Sequence, residues 1–301
     1  MFNFLYQLFL ISTLYAFLAS TFTLTKLALM VSAPFFFVGF RMIVAGAILL
    51  AIEWHSFTST FLKSLQKDFW LFVQIVLFHI YFAYMLDFWA MQYISTCDAS
   101  LIYSFSPFMT AVLAWWFLNE HLTILQWLGM IISFIGFLPT IYVPSCSTSA
   151  LQGIVGMFGA AITSAYGWIV FKELIDKKKY SPLFINGIAM LLGGIAALIS
   201  SFFVESWNPL PVSDWSRFGI YTVLIILIGN FIFYNGYGYL LKYNSPTFLS
   251  YMGLSTPLFV AFFGWFFINE TINVTLFIAL FGMVIGMYLF YNYGYKQEIE
   301  S

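Results

Sequence analysis

Runs of about 20 apolar residues, separated by short polar clusters, fill almost the whole chain, and they set the class of fold before any single residue is considered. Ten such runs lie at approximately 4–25, 32–52, 69–92, 98–118, 124–143, 151–171, 182–204, 217–241, 247–268 and 273–293. A helix of that length crosses the hydrocarbon core of a bilayer, and it satisfies every backbone N–H and C=O internally where no water can. Over 301 residues the chain is 62% hydrophobic and 8% charged, whereas a water-exposed surface needs about 25% charged residues. The expectation is an all-α integral membrane protein with ten transmembrane helices. A formal net charge of −1 offers no basic field for nucleic acid. The partners expected are therefore membrane lipid and a small-molecule substrate, with a homodimer left open. The first run carries no Lys or Arg ahead of it and continues to about Thr25, longer than the apolar core of a signal peptide, so it reads as a retained helix.

The chain also repeats itself. PFMTAVLAWWFLNE (107–120) and PLFVAFFGWFFINE (257–270) agree at six of fourteen positions without a gap, Trp115/Trp265 and Glu120/Glu270 among them. Tyr84/Tyr234, Tyr93/Tyr243 and Gly136/Gly286 share the offset of 150, and Pro34/Pro182 and Gly46/Gly194 match at 148. Each copy holds five runs, an odd number, so the second copy enters the membrane upside down relative to the first. The expected organisation is two inverted five-helix repeats, 1–143 and 151–293, followed by a cytoplasmic tail, 294–301. With the N-terminus inside, the inner loops and tail hold eight Lys and the outer loops hold Lys26 and Arg217, which obeys the positive-inside rule. Both termini are thus expected on the cytoplasmic side of the cell's inner membrane. Inverted halves are a recurring design of secondary transporters, which rock around a central site.

The STFTLTKLAL ending of the first run, PFFFVGFRMIVAG opening the second, and SPFMTAVLAWWFLNEHLT followed by QWLGMIISFIG together carry a resemblance. The second copy, STPLFVAFFGWFFINETI then FGMVIG, follows the same pattern more loosely. The chain resembles the drug/metabolite transporter superfamily, EamA-type, over nearly its whole length. That resemblance implies a ten-helix carrier of small organic metabolites, its cavity among runs 1 to 4 and 6 to 9, with runs 5 and 10 as outer supports. It also brings in an amino acid-like or nucleoside-bearing substrate, moved by import, export or exchange as an antiporter, with S-adenosylmethionine a candidate. Members usually have Gly before the motif's Glu, where this chain has Asn119 and Asn269.

Charges inside a bilayer cost about 2.5–3.5 kcal/mol each and need a reason. Arg41 and Asp87 fall at similar depth in adjacent antiparallel helices, where they are expected to pair, either as a lock or as a group that engages a zwitterionic substrate. His79, mid-run, is either a proton-coupling group alongside Asp87 or a packed core residue. Tyr84, Tyr103, Asn230, Tyr234 and Tyr237 are further binding candidates, because Asn230, Tyr234 and Tyr237 share a helical face and ring tips can stack on a base or hold a cation. Pro107 and Pro257 fall mid-run and are expected to kink their helices as hinges. Glu120 and Glu270 suit helix starts. Cys97 and Cys146 both fall on the outer side, where a disulfide is one option, and Asn269 and Asn273 stand in sequons. No HExxH, CxxC or GxxxxGK is present, so neither a metal, a cofactor nor an enzymatic centre is expected. A membrane-embedded enzyme and a non-transporting assembly protein are the competing classes.

Overall fold

The computed structural model describes residues 2–53, 67–94, 96–137, 148–268 and 275–290. Among them the chain is helical throughout, apart from turns and an isolated antiparallel bridge between Ser32 and Val212. The helices are α1 (Phe2–Leu29), α2 (Pro34–Ile52), α3 (Phe69–Ala90), α4 (Thr96–Tyr103), α5 (Ser106–Leu118) and α6 (Ile124–Phe137). They continue as α7 (Thr148–Asp176), α8 (Pro182–Val204), α9 (Trp215–Leu240), α10 (Pro246–Met252), α11 (Thr256–Ile268) and α12 (Thr275–Phe290). Seven spans among the described residues are long and apolar enough to cross a membrane, the last formed by α10 and α11 together, and α5, α6 and α12 hold shorter apolar stretches. The outer surface carries large apolar side chains such as Trp116 and Phe203, 76% and 78% exposed, as a surface facing lipid requires.

Two helix pairs form the tightest contacts. α2 lies along α8, where a Cβ added at Gly39 would stand 2.7 Å from the Leu198 amide nitrogen and one at Gly194 2.7 Å from that of Ile43. α6 lies along α12, where a Cβ at Gly129 would stand 2.6 Å from the Gly286 carbonyl oxygen. Small residues admit such backbone-to-backbone approach, the main source of packing energy between helices in lipid. The α2–α8 pair is also tied at both ends. Glu205, just past the end of α8, accepts the N–H groups of Phe35 (2.7 Å) and Phe36 (2.8 Å) at the start of α2. Glu53, just past α2, accepts the O–H of Ser181 (2.8 Å), whose oxygen in turn caps α8 through the Phe184 N–H at 3.1 Å. Beside this end, buried Asp68 pairs with Lys178 (2.6 Å) and accepts the Tyr180 O–H (2.9 Å).

Four segments depart from uniform helix. The run at 98–118 is broken: Ser104 and Phe105 form a turn, and Pro107 stands in the first turn of α5. There its missing N–H costs nothing, so the expected kink is a break. Pro257 likewise opens α11, after one tightened 3-10 turn at Gly253–Ser255. In α3 and α9 the middle widens to π-helix, over Ile75–Tyr81 and Ile226–Phe233. Asn235 supports the second of these, its Nδ2 donating to the carbonyls of Asn230 (3.1 Å) and Phe231 (3.0 Å) while its Oδ1 accepts from Asn186 (2.9 Å).

Candidate functional site

A cavity opens between α1, α2, α3, α7 and α9, closed off by the broken segments at 103–107 and 250–256, with about 980 Å³ of atom-free space counted out to its mouth. Arg41 and Asp87 are the two charged residues in its lining. Arg41 comes from α2 and is 2% exposed, and its guanidinium carbon lies over the Tyr84 ring at 4.9 Å and the Phe88 ring at 5.4 Å. Its Nε and Nη2 have no hydrogen-bond partner, and neither has Oδ1 of Asp87. The expected ion pair is absent: the two side chains share a wall without any N–O contact of 4.0 Å or less. The reason lies in α3, where Tyr84, Asp87 and Phe88 share one face and the flat guanidinium settles on the two rings. Two opposite charges are thereby held out of water with polar atoms unsatisfied, a costly arrangement unless something else completes them.

The tyrosines proposed from the sequence converge here. Tyr84, Tyr103, Tyr234 and Tyr237 all line the cavity, as does Pro107. Tyr103 donates to the Ser164 hydroxyl at 2.7 Å, the Tyr84 and Tyr234 rings are 6.1 Å apart, and Trp168 lies 4.1 Å from Tyr237, centroid to centroid. Three other candidates stand elsewhere. Asn230 is fully buried with its Nδ2 against the sulfurs of Met42 (3.2 Å) and Met190 (3.4 Å), outside the lining. The π-helical turn widens the repeat from about 3.6 residues, which removes Asn230 from the face that Tyr234 and Tyr237 share. His79 is buried behind the cavity wall, its ring 4.3 Å from Trp168, 5.2 Å from Tyr234 and 5.4 Å from Phe171, with both nitrogens unpartnered. It is placed as a packed residue, not as a cavity group. Pro257 is buried next to the lining residue Thr256 without joining the lining itself. Among the described residues no group of His, Cys, Asp and Glu could hold a metal ion.

The sequence profile of the EamA-like transporter family matches twice, over residues 5–142 and 151–292. The chain belongs to the EamA-like transporter family. An S-adenosylmethionine/S-adenosylhomocysteine transporter of Chlamydia trachomatis serovar L2 is 31% identical over 286 residues, covering 93% of this chain and 87% of its own. The protein of that description from Chlamydia muridarum is also 31% identical, over 93% of this chain and 89% of its own. An uncharacterized transporter of Bacillus subtilis is 24% identical over 88% of this chain and 85% of its own. One solved crystal structure, 15% identical, superposes with a TM-score of 0.72 over 94% of this chain and 95% of that one, a likeness of fold alone.

As an EamA-like transporter the molecule is a multi-pass membrane protein, and its cavity takes nothing from α6, α8 or α12. Tyr15, Trp168, Ser164 and Ser250 line the cavity without a sequence signal to single them out as binding groups. Where this EamA-like transporter has Asn119 in place of the usual glycine, the backbone is left-handed, φ 55° and ψ 32°, and ends α5. Asn tolerates that conformation best after Gly, so the departure keeps the turn. A reciprocal pair caps α6, the Thr123 N–H donating to Gln126 Oε1 (2.8 Å) and the Gln126 N–H to Thr123 Oγ1 (3.3 Å). This box caps the start of α6. Glu270, Cys146, Asn269 and Asn273 lie outside the described residues, as does the side chain of Cys97.

Proposed function

We propose that this chain is a secondary transporter for a small zwitterionic metabolite bearing an aromatic base, S-adenosylmethionine or S-adenosylhomocysteine being the leading candidates. It works by alternating access between two inverted five-helix halves, 1–143 and 151–293, ten helices in all, with both termini cytoplasmic in the cell membrane. The observation that carries the reading is the cavity's charge pattern: one buried cation, Arg41, and one buried anion, Asp87, each with unpartnered polar atoms and with no direct ion pair between them. An amino-acid head completes both at once, its carboxylate on the guanidinium and its ammonium on the carboxylate. The rings of Tyr84, Tyr234 and Trp168 offer faces on which a base can stack. The names of the chlamydial relatives agree with that chemistry.

Two features support inversion. The widened turns start at Ile75 and Ile226, 151 residues apart (226 − 75), close to the offset of the sequence repeat. The tight pairs α2–α8 and α6–α12 each join counterpart helices of the two copies, as a two-fold relation predicts.

The test is uptake of labelled S-adenosylmethionine by proteoliposomes, with and without internal S-adenosylhomocysteine and with and without a pH gradient. Saturable, protein-dependent accumulation supports the reading, and accelerated uptake against internal S-adenosylhomocysteine adds exchange. No protein-dependent accumulation of S-adenosylmethionine under any of these conditions, by well-folded protein, defeats it. In the same assay Asp87→Asn is expected to lower uptake at least tenfold, and full uptake by that variant removes Asp87 from the site.

A further inference from the structure

The carrier reading leaves one part of its substrate class unplaced. Among the described residues of the cavity lining Arg41 is the single cation and Asp87 the single anion, so an amino-acid head occupies both. A ligand of this class that also carries an onium centre, a sulfonium or a methylated ammonium, brings a second positive charge for which the described lining holds no second carboxylate. Such a charge is met instead by the negative faces of aromatic rings, with Trp the strongest partner.

The wall away from Arg41 has that character. From the Tyr84 ring under the guanidinium the rings continue without interruption: Tyr234 at 6.1 Å, then Trp168 at 5.4 Å, then Tyr237 at 4.1 Å, then Tyr15 at 6.3 Å from Tyr237. They do not form a flat stack. Tyr15 stands at 89° to Tyr237, while Trp168 is tilted by 38° to it, so the rings meet as a corner with faces in different directions. All four of the last rings line the cavity, and all are 8% exposed or less. The O–H of Tyr15 donates to the Leu249 carbonyl at 2.7 Å.

We propose that the corner formed by Trp168, Tyr237 and Tyr15 is an onium subsite, separate from the Arg41–Asp87 head-group site, and that Trp168 sets the preference between ligands that carry this charge and ligands that lack it. The inference rests on the carrier reading above. Its consequence is selective: loss of ring face at position 168 weakens a sulfonium ligand more than the matching thioether, whereas loss of the Asp87 charge weakens both.

S-adenosylmethionine and S-adenosylhomocysteine form the matched pair, differing by one methyl group and one charge. Equilibrium binding of each is measured on purified wild-type protein and on Trp168→Phe, Trp168→Leu and Asp87→Asn, with folding checked by gel filtration and thermal unfolding. The readout is the ratio of the two dissociation constants, which cancels stacking lost equally by both. Trp168→Leu is expected to shift that ratio against the sulfonium by roughly 2- to 30-fold. Trp168→Phe is expected to shift it less, in the same direction, and it carries the test where the leucine variant does not fold. Asp87→Asn is expected to weaken both ligands with the ratio unmoved. Equal weakening of the two ligands by the Trp168 variants, or a ratio that moves in Asp87→Asn instead, overturns the subsite. Wild-type protein that binds neither ligand sinks the carrier reading and the subsite with it, an outcome distinct from a flat ratio.

Discussion

Asn119 holds a backbone conformation that costs most L-residues about 1–2 kcal/mol, and the turn after α5 depends on it. The N–H of Asn119 and of Glu120 both reach the Ala114 carbonyl, the latter at 3.2 Å, which ends the helix. Asn119→Gly is therefore expected to leave thermal unfolding in detergent unchanged or slightly raised, and Asn119→Ala to lose about 1 kcal/mol. Equal behaviour of the two variants would show that the turn tolerates any residue. Asp68 offers a pH-dependent counterpart outside the membrane-spanning segments. Burial pushes its carboxyl upward, but hydrogen bonds from Lys178 and Tyr180 outweigh that and hold it below the ordinary carboxylate value. A group whose folded value is depressed contributes stability above its unfolded value, and that contribution disappears as pH falls through the folded one. Thermal stability is thus expected to drop below about pH 4, with Asp68→Asn less stable at neutral pH and flatter across that window. An acid profile identical in the variant would remove this latch from the account. Arg41 and Asp87 were legible in the sequence, because a charge in an apolar run always needs a partner. Their failure to pair was not, because it follows from the Tyr84 and Phe88 rings, whose facing toward α2 is a tertiary fact.

At the scale of elements, the α2–α8 pair is defined by reciprocal carboxylates. Glu205 carries charge to the N-terminus of α2, where the helix dipole and two unsatisfied N–H groups receive it. Glu205→Gln keeps one acceptor but loses the charge, and about 1–2 kcal/mol of stability is expected to go with it. Because Glu205 is outside the cavity lining, substrate KM is expected to stay within about twofold for protein that remains folded. A large change in KM with unchanged stability would place Glu205 in the transport path instead. The apolar runs that became these helices were readable, since only a helix can bury so much backbone in lipid. The widened turns in α3 and α9 were not, because the second is held by Asn235 and Asn186 reaching across helices, a contact that local pattern does not contain. Trp168 and Tyr15 do not stand out from the sequence as binding groups for a simpler reason. In a chain with 38 Phe, 19 Tyr and 10 Trp, a ring that lines a cavity reads like one that faces lipid. Pro107 marked the right place and suggested the wrong geometry, since the chain restarts a helix there and so avoids the cost of an interior proline.

For the whole molecule, alternating access requires some contacts between the two proposed halves to persist and others to open. The α2–α8 interface has the character of a persistent one: backbones in contact at Gly39 and Gly194, and ties at both ends through Glu205 and Glu53. A slide of one residue is about 1.5 Å along a helix, enough to break those ties and drive side chains into the glycine contacts. The meeting of α5 with α10 is different. It sits between the turn at Ser104–Phe105 and the 3-10 turn at Gly253–Ser255, and is joined by a hydroxyl contact of 3.2 Å from Thr110 to Ser250, itself a cavity residue. If the halves alternate as proposed, closure and opening fall to α5 and α10, with α2–α8 moving as one body. In a Cys97→Ser, Cys146→Ser background, a disulfide between Glu53→Cys and Ser181→Cys is expected to leave turnover near that of the reduced protein. A disulfide between Thr110→Cys and Ser250→Cys is expected to stop turnover, and reduction to restore it. Arrest by the first bond would show that the α2–α8 pair parts during transport, and full turnover under the second would show that α5 and α10 stay together, either of which reverses the assignment.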